Sequence, residues 1–111
     1  MELGSAGGLV AERSAAPSAI NLRLAELERC ARLLADQRET LEGAELSAWR
    51  SRMGAWRQAA VATLLEAFEA EAAFEFIRAS YAAGRHDDRD ADVKSLRDAA
   101  ELLAVLRATL D

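Results

Sequence analysis

Leu46-Ser47-Ala48-Trp49-Arg50-Ser51-Arg52-Met53-Gly54-Ala55-Trp56-Arg57 opens the stretch that decides the fold, and Phe76-Ile77-Arg78-Ala79-Ser80-Tyr81-Ala82-Ala83-Gly84-Arg85 closes it. No proline falls between the two ends, and Gly54 is the only interior glycine. Leu46, Trp49, Met53, Trp56, Ala60, Leu64 and Ala67 recur at three- and four-residue steps, so they stack along one side of a helix. Arg50 and Arg57 fall one step off that stripe, at its border with solvent. The reading is a long helix that offers two tryptophans to a core and sets guanidinium groups beside them.

Downstream the phase slips. Glu71 and Glu75 occupy positions that the stripe would bury, whereas Phe74, Ile77 and Tyr81 begin a stripe at a different angle. Burying unpaired carboxylates is costly, so a kink or a break into two helices is expected near Glu69 to Ala72. Gly84 is a natural helix stop. The polar run His86-Asp87-Asp88-Arg89-Asp90-Ala91-Asp92 then leads into a last helix from about Ala91 to Leu110, with Asp90 as its cap. That helix is expected to bury Leu96, Ala100, Leu103, Leu106 and Leu110, leaving Leu102 and Val105 as spare apolar surface for a neighbour.

Upstream, a first helix is expected just after Pro17 with Ser18 as N-cap. Its stripe is Ile20, Leu24, Leu27, Ala31 and Leu34, bordered by Cys30 as a small apolar residue. Arg23, Arg29, Arg32 and Arg38 alternate with Glu26, Glu28, Asp36 and Glu39, which reads as a solvated face held by weak ion pairs. Thr40 to Gly43 reads as a turn, and Ser47 as the cap of the second helix. Residues 1–17, with Gly4, Gly7 and Gly8 close together, read as a flexible arm, and 18–111 as a single domain.

Composition agrees with these elements. The 111 residues are 51% hydrophobic and 30% charged, with a single proline. That is a globular chain large enough for one small core. Abundant Ala, Leu, Glu and Arg select an all-α class: a small helical bundle of four or five helices, with Trp49, Trp56, Leu64, Leu96 and Leu103 in one core. A net charge of −5 argues against coating nucleic acid by bulk charge but leaves room for a local basic strip. Cys30, alone, excludes an internal disulfide and any cysteine-based zinc site. No apolar run approaches the ~20 residues of a membrane span, and no basic-then-apolar leader opens the chain, so a cytoplasmic protein without membrane contact is the expectation.

Catalytic chemistry is not spelled out. There is no nucleophile motif with partner residues, no Gly-rich phosphate loop and no paired zinc ligands. Glu66, Glu69, Glu71 and Glu75 lack the Glu-x-x-His partners of a carboxylate-bridged metal bundle, because His86 is the only histidine. The acids around His86 match no calcium-loop spacing and suit a helix N-terminus. The expectation is a non-enzyme with neither cofactor nor metal.

Ser47-Ala48-Trp49-Arg50, opening a helix, resembles the Ser-Gln-Leu-Arg helix start of the small subunit of type III CRISPR effector complexes. Ile77 to Arg85, followed by a short polar gap and an apolar helix from Val93, resembles that family's Tyr-Ala-Ala-Gly-Arg region and the helix after it. The match runs over residues 46 to 106. The chain departs from the family in placing Trp49 where a smaller apolar residue is usual and in carrying one lysine, Lys94. It also departs in ending after one further helix where the family continues with more.

The resemblance implies a non-catalytic helical subunit that repeats head to tail along the effector complex, touching larger subunits, copies of itself, the guide RNA and its paired target RNA. Physical chemistry is compatible with RNA contact. Residues 47–58 carry Arg50, Arg52 and Arg57 and no acid, a local charge of +3, and arginine forks suit phosphate oxygens without reading sequence. Arg78, Arg85 and Arg89 form a second basic group. Against this stands the reading of Arg50 and Arg57 as side chains that merely cover the tryptophans. Trp49 and Trp56 read as core rather than base-stacking platforms. Two other classes compete: a helical protein–protein interaction or oligomerisation module with no RNA contact, and a secreted helical hairpin of the Trp-x-Gly type. The hairpin is disfavoured because neither tryptophan is followed two residues later by glycine.

Overall fold

The structure, a computed structural model, describes residues 17–81 and 88–110. They form four helices and no strand: α1 (Pro17–Thr40), α2 (Glu45–Ala67), α3 (Ala70–Ser80) and α4 (Arg89–Ala108). This is the all-α bundle expected. The expected arm, the stop at Gly84, and His86 with its neighbouring Asp87 lie outside the described residues.

Helix ends follow local chemistry, with three departures from expectation. Pro17 itself is the first residue of α1, a position where its missing N–H costs nothing, and Ser18 lies inside the helix. Ser47 does not cap α2 either. The helix starts at Glu45 behind Ala44, which makes no side-chain cap bond. The turn is closed instead by Leu46 N–H donating to the carbonyl of Gly43 at 3.1 Å. Gly43 takes φ +61° there, a left-handed conformation in which a side chain would be strained. At α4 the cap is Asp88 rather than Asp90: its carboxylate accepts from the amide of Ala91 at 3.2 Å. Asp90 and Asp92 occupy the first turn, and Asp92 points inward.

Between α2 and α3 the chain breaks at Phe68 and Glu69, both extended, with ψ of 178° and 163°. The break falls at the start of the expected window, reaching one residue ahead of it, and keeps Glu69, Glu71 and Glu75 all exposed. It also changes which residues go inward. α3 buries Ala73, Phe76 and Ser80, not the stripe of Phe74, Ile77 and Tyr81. Phe74 and Tyr81 are 63% and 57% exposed. The phase is set by Phe76, fully buried, whose ring packs on Trp56 with centroids 5.4 Å apart and planes at 57°, a tilted geometry that aromatic quadrupoles favour.

The core is the one expected. Trp49, Leu64, Leu96 and Leu103 are completely buried and Trp56 nearly so, joined by Ile20, Leu24, Met53 and Phe76. Helix α1 neighbours α2 and α4, and α3 neighbours the same two. The most extensive contact is between α1 and α4. It is closely packed because Ala31 and Ala35 on one helix and Ala99 and Ala100 on the other are all buried and small. Leu102, expected to be spare surface, packs against the core with Leu106 and Leu110, whereas Val105 stays exposed.

The same contact overturns the reading of α1's charges as a wholly solvated face. Arg38 and Glu28 are 4% and 6% exposed. Arg38 Nε donates to Asp92 of α4 at 2.7 Å, and its guanidinium lies 5.7 Å from the centroid of the Trp49 ring. Arg107 of α4 grips both oxygens of Glu28. The pairs run 38 with 92 and 28 with 107, so the two helices are antiparallel, and both ends of α4 are tied to α1 between its middle and its C-terminal end. Glu28 and Arg38 flank Ala31 and Ala35 on one face of α1, and α4 covers that whole face. The outward charges behave as expected: Arg29 pairs with Glu26 within α1, and Arg97 reaches Glu39 at 2.9 Å.

Candidate nucleic-acid interface

The described arginines among those nominated by the sequence are divided among four places on the surface. On α2, Arg57 stands on the border facing α3 with Arg50 two turns earlier on the same side, and Arg52 stands on the opposite border facing α1. The buried stripe of Trp49, Met53 and Trp56 lies between them. Arg50 and Arg57 thus share one side of the stripe, as their spacing predicts, whereas Arg52, grouped with them by local charge, falls on the other.

Each arginine has a distinct environment. Arg52 is exposed and donates to Gln37 Oε1 of α1 at a long 3.4 Å. Arg50 and Arg57 are half-buried rather than lying on exposed edges. Arg57 Nη2 donates to the carbonyl of Ser80 at 2.8 Å. Ser80 is the last residue of α3, where carbonyls lack intrahelical donors and the dipole is negative. A guanidinium there ties α2 to the end of α3. Consequently Arg57→Ala is expected to cost about 1.5–3 kcal/mol, the range for a hydrogen bond that involves a charged group, whereas Arg52→Ala should change stability by less than about 0.5 kcal/mol. Urea denaturation of the two variants separates a structural Arg57 from a merely superficial one.

Arg78 is exposed and pairs with Glu75 one turn earlier, at 3.0 Å. Arg89 is exposed at the start of α4, in a shallow open depression with Glu39, Asp90, Lys94, Arg97 and Asp98. Cations and acids alternate there, and Asp98 hydrogen-bonds Lys94 at 2.7 Å and holds its ammonium above the ordinary lysine range. Arg85 lies outside the described residues. Arg78 and Arg89 thus belong to different local charge arrangements.

The acids between α2 and α3 are partly answered. Glu66 pairs with Arg23 of α1 at 2.8 Å, and Arg23 also donates to Thr63 Oγ1 at 3.0 Å. Glu69 and Glu71 face solvent. Among the described residues no three potential metal ligands come together, and no helix is long and apolar enough to cross a membrane.

Sequence reasoning picked out the stripe of Phe74, Ile77 and Tyr81 but not that it faces outward. Phe74 and Tyr81, seven residues apart, project from the same side of that helix, with half-buried Ile77 between them and Glu71, Glu75 and Arg78 around them. The available signal was that α3 carries more apolar residues than one buried face needs, with Phe74 and Phe76 on different sides.

No protein-family model matches the chain, and neither a curated protein nor a solved structure is found to be similar to it.

Proposed function

We propose that this chain is a non-catalytic helical subunit that works by docking within a larger assembly, and that the assembly is an RNA-guided effector of the type III CRISPR kind. The observation that carries the docking role is the outer face of α3, where two aromatic side chains more than half exposed share one side of a short helix. Large apolar side chains grouped on one exposed face are a common mark of an interaction surface. The same helix lies inside the segment that resembles the type III small subunit, which is what points to that assembly. In this reading the partners are larger subunits, further copies of the chain, and guide and target RNA held through phosphates by Arg50, Arg52 and Arg57, with Arg78, Arg85 and Arg89 as further contacts.

A second reading, an interaction module with no RNA contact, is favoured by one specific observation. Arg57 and Arg78 already donate within the fold, to Ser80 and Glu75. The affinity of the full chain for a short guide–target RNA duplex, measured at two salt concentrations, separates the two. Under the RNA reading, Arg52→Ala weakens binding alike for every sequence and lowers the salt slope by about one unit, because a phosphate contact releases counterions without reading bases. Absence of salt-dependent binding, or a slope unmoved by Arg50→Ala and Arg52→Ala together, leaves the protein-only module as the correct reading.

A further inference from the structure

We infer that the outer face of α3 pairs with the same face of a second copy of this chain, antiparallel across a two-fold axis. The inference rests on the reading of α3 as a docking surface and names its occupant. The face runs Glu71, Phe74, Glu75, Ile77, Arg78, Tyr81, and every one of these residues except half-buried Ile77 is exposed. Its charge is polarised along the helix axis: Glu71 lies in the first turn, Glu75 at the middle, and the one base, Arg78, in the last turn. A surface with that polarity complements itself only when turned end for end.

With the axis beside Phe76, residue 74 of one copy faces residue 78 of the other, and residue 71 faces residue 81. Each Arg78 then reaches the Glu71–Glu75 edge of its mate and lies over the ring of the mate's Phe74, an ion pair and a cation–π contact in the same place. The existing bond from Arg78 to Glu75 is an exposed pair within one turn, which contributes only a few tenths of a kcal/mol and is readily exchanged. A parallel arrangement would set acid on acid and base on base. The antiparallel one also opposes the two helix dipoles. Both copies contribute the same patch, so this contact closes at two, and head-to-tail repetition in a larger assembly would use a different face.

The 11 residues of α3 span only about 16 Å. The contact therefore falls at the small end of specific interfaces, and association is expected in the micromolar range rather than tighter.

Sedimentation velocity of the full chain over concentrations from about 1 to 500 μM brackets that range. The wild type is expected to move from monomer to dimer. Phe74→Glu and Arg78→Glu should each stay monomeric while keeping the wild-type helical circular dichroism and melt, because both positions are exposed. A chain carrying Glu71→Arg and Glu75→Arg should also be monomeric alone. Mixed with the Arg78→Glu chain, it should form a one-to-one dimer, since charges that repel within each variant attract between them. A wild type that remains monomeric throughout overturns the inference, as does a dimer that survives Phe74→Glu, or a mixture that fails to pair. The samples contain neither RNA nor another protein, so a failure here is distinguishable from a flat salt slope in the RNA measurement.

Discussion

Trp56→Ala is expected to destabilise the bundle by roughly 3–5 kcal/mol, the range for removing a large aromatic side chain from a core. Trp56 is only 6% exposed and links three helices: it sits on α2, its indole N–H donates to the Leu27 carbonyl of α1 at 2.9 Å, and its ring packs on Phe76 of α3. A domain of this size commonly has ~5–15 kcal/mol to lose, so the melting temperature should fall by about 12 °C or more. Trp56→Phe keeps most of the buried area and loses the indole hydrogen bond, and should cost about 1–2 kcal/mol. Thermal melts of the two variants check both values. Nearly equal losses would mean that the hydrogen bond, not the packing, carries the effect.

The second large effect belongs to Asp92. It is fully buried beside Arg38, which is itself only 4% exposed, with 2.7 Å between Nε and the carboxylate. Asp92→Ala leaves a guanidinium buried without its counter-charge, and the expected loss is about 3–5 kcal/mol. The pair as a whole is a different matter. Desolvating two charges offsets most of their attraction, so Arg38→Met with Asp92→Leu is expected to be close to neutral or even stabilising. Urea titrations of Arg38→Met, Asp92→Leu and the double variant form a closed cycle that isolates the coupling. Additive losses would show that the two groups do not act as a pair.

These two residues also mark how much could be read from the chain. Trp56 was legible because spacing alone places it on a stripe with Trp49, Ala60 and Leu64, and periodicity needs no knowledge of what lies opposite. The burial of Arg38 was not legible. Arg38 alternates with acids like any solvated helix residue, and its burial depends on α4 crossing that face. Sequence separation between 38 and 92 hides the partner. The phase of α3 was misread for a related reason. Once Phe68 and Glu69 become extended, the count of residues no longer transmits the orientation of α2, and Phe76 settles against Trp56 instead. The candidate interface suffered in the same way. Arg50, Arg52 and Arg57 are close in sequence, yet a rotation of about 100° per residue sends Arg52 to the opposite border from the other two, and only the positions of α1 and α3 give those borders different meanings.

The hydrogen bonds from the two indoles carry one more consequence. Trp49 donates to the carbonyl of Leu34 at 2.9 Å, and Trp56 donates to that of Leu27 at the same distance. Seven residues forward along α2 correspond to seven residues back along α1, so the pair acts as two pegs fixing one alignment of the hairpin. Lengthening or shortening the chain between the pegs' two helices, at Leu41 to Ala44, leaves both pegs in their holes. A single residue inserted between Trp49 and Trp56 cannot, because it rotates one indole away from α1 whichever peg is kept. Natural variation in length should therefore gather in the connecting turn and be absent from the seven-residue interval, making that interval the ruler against which the rest of the bundle is set.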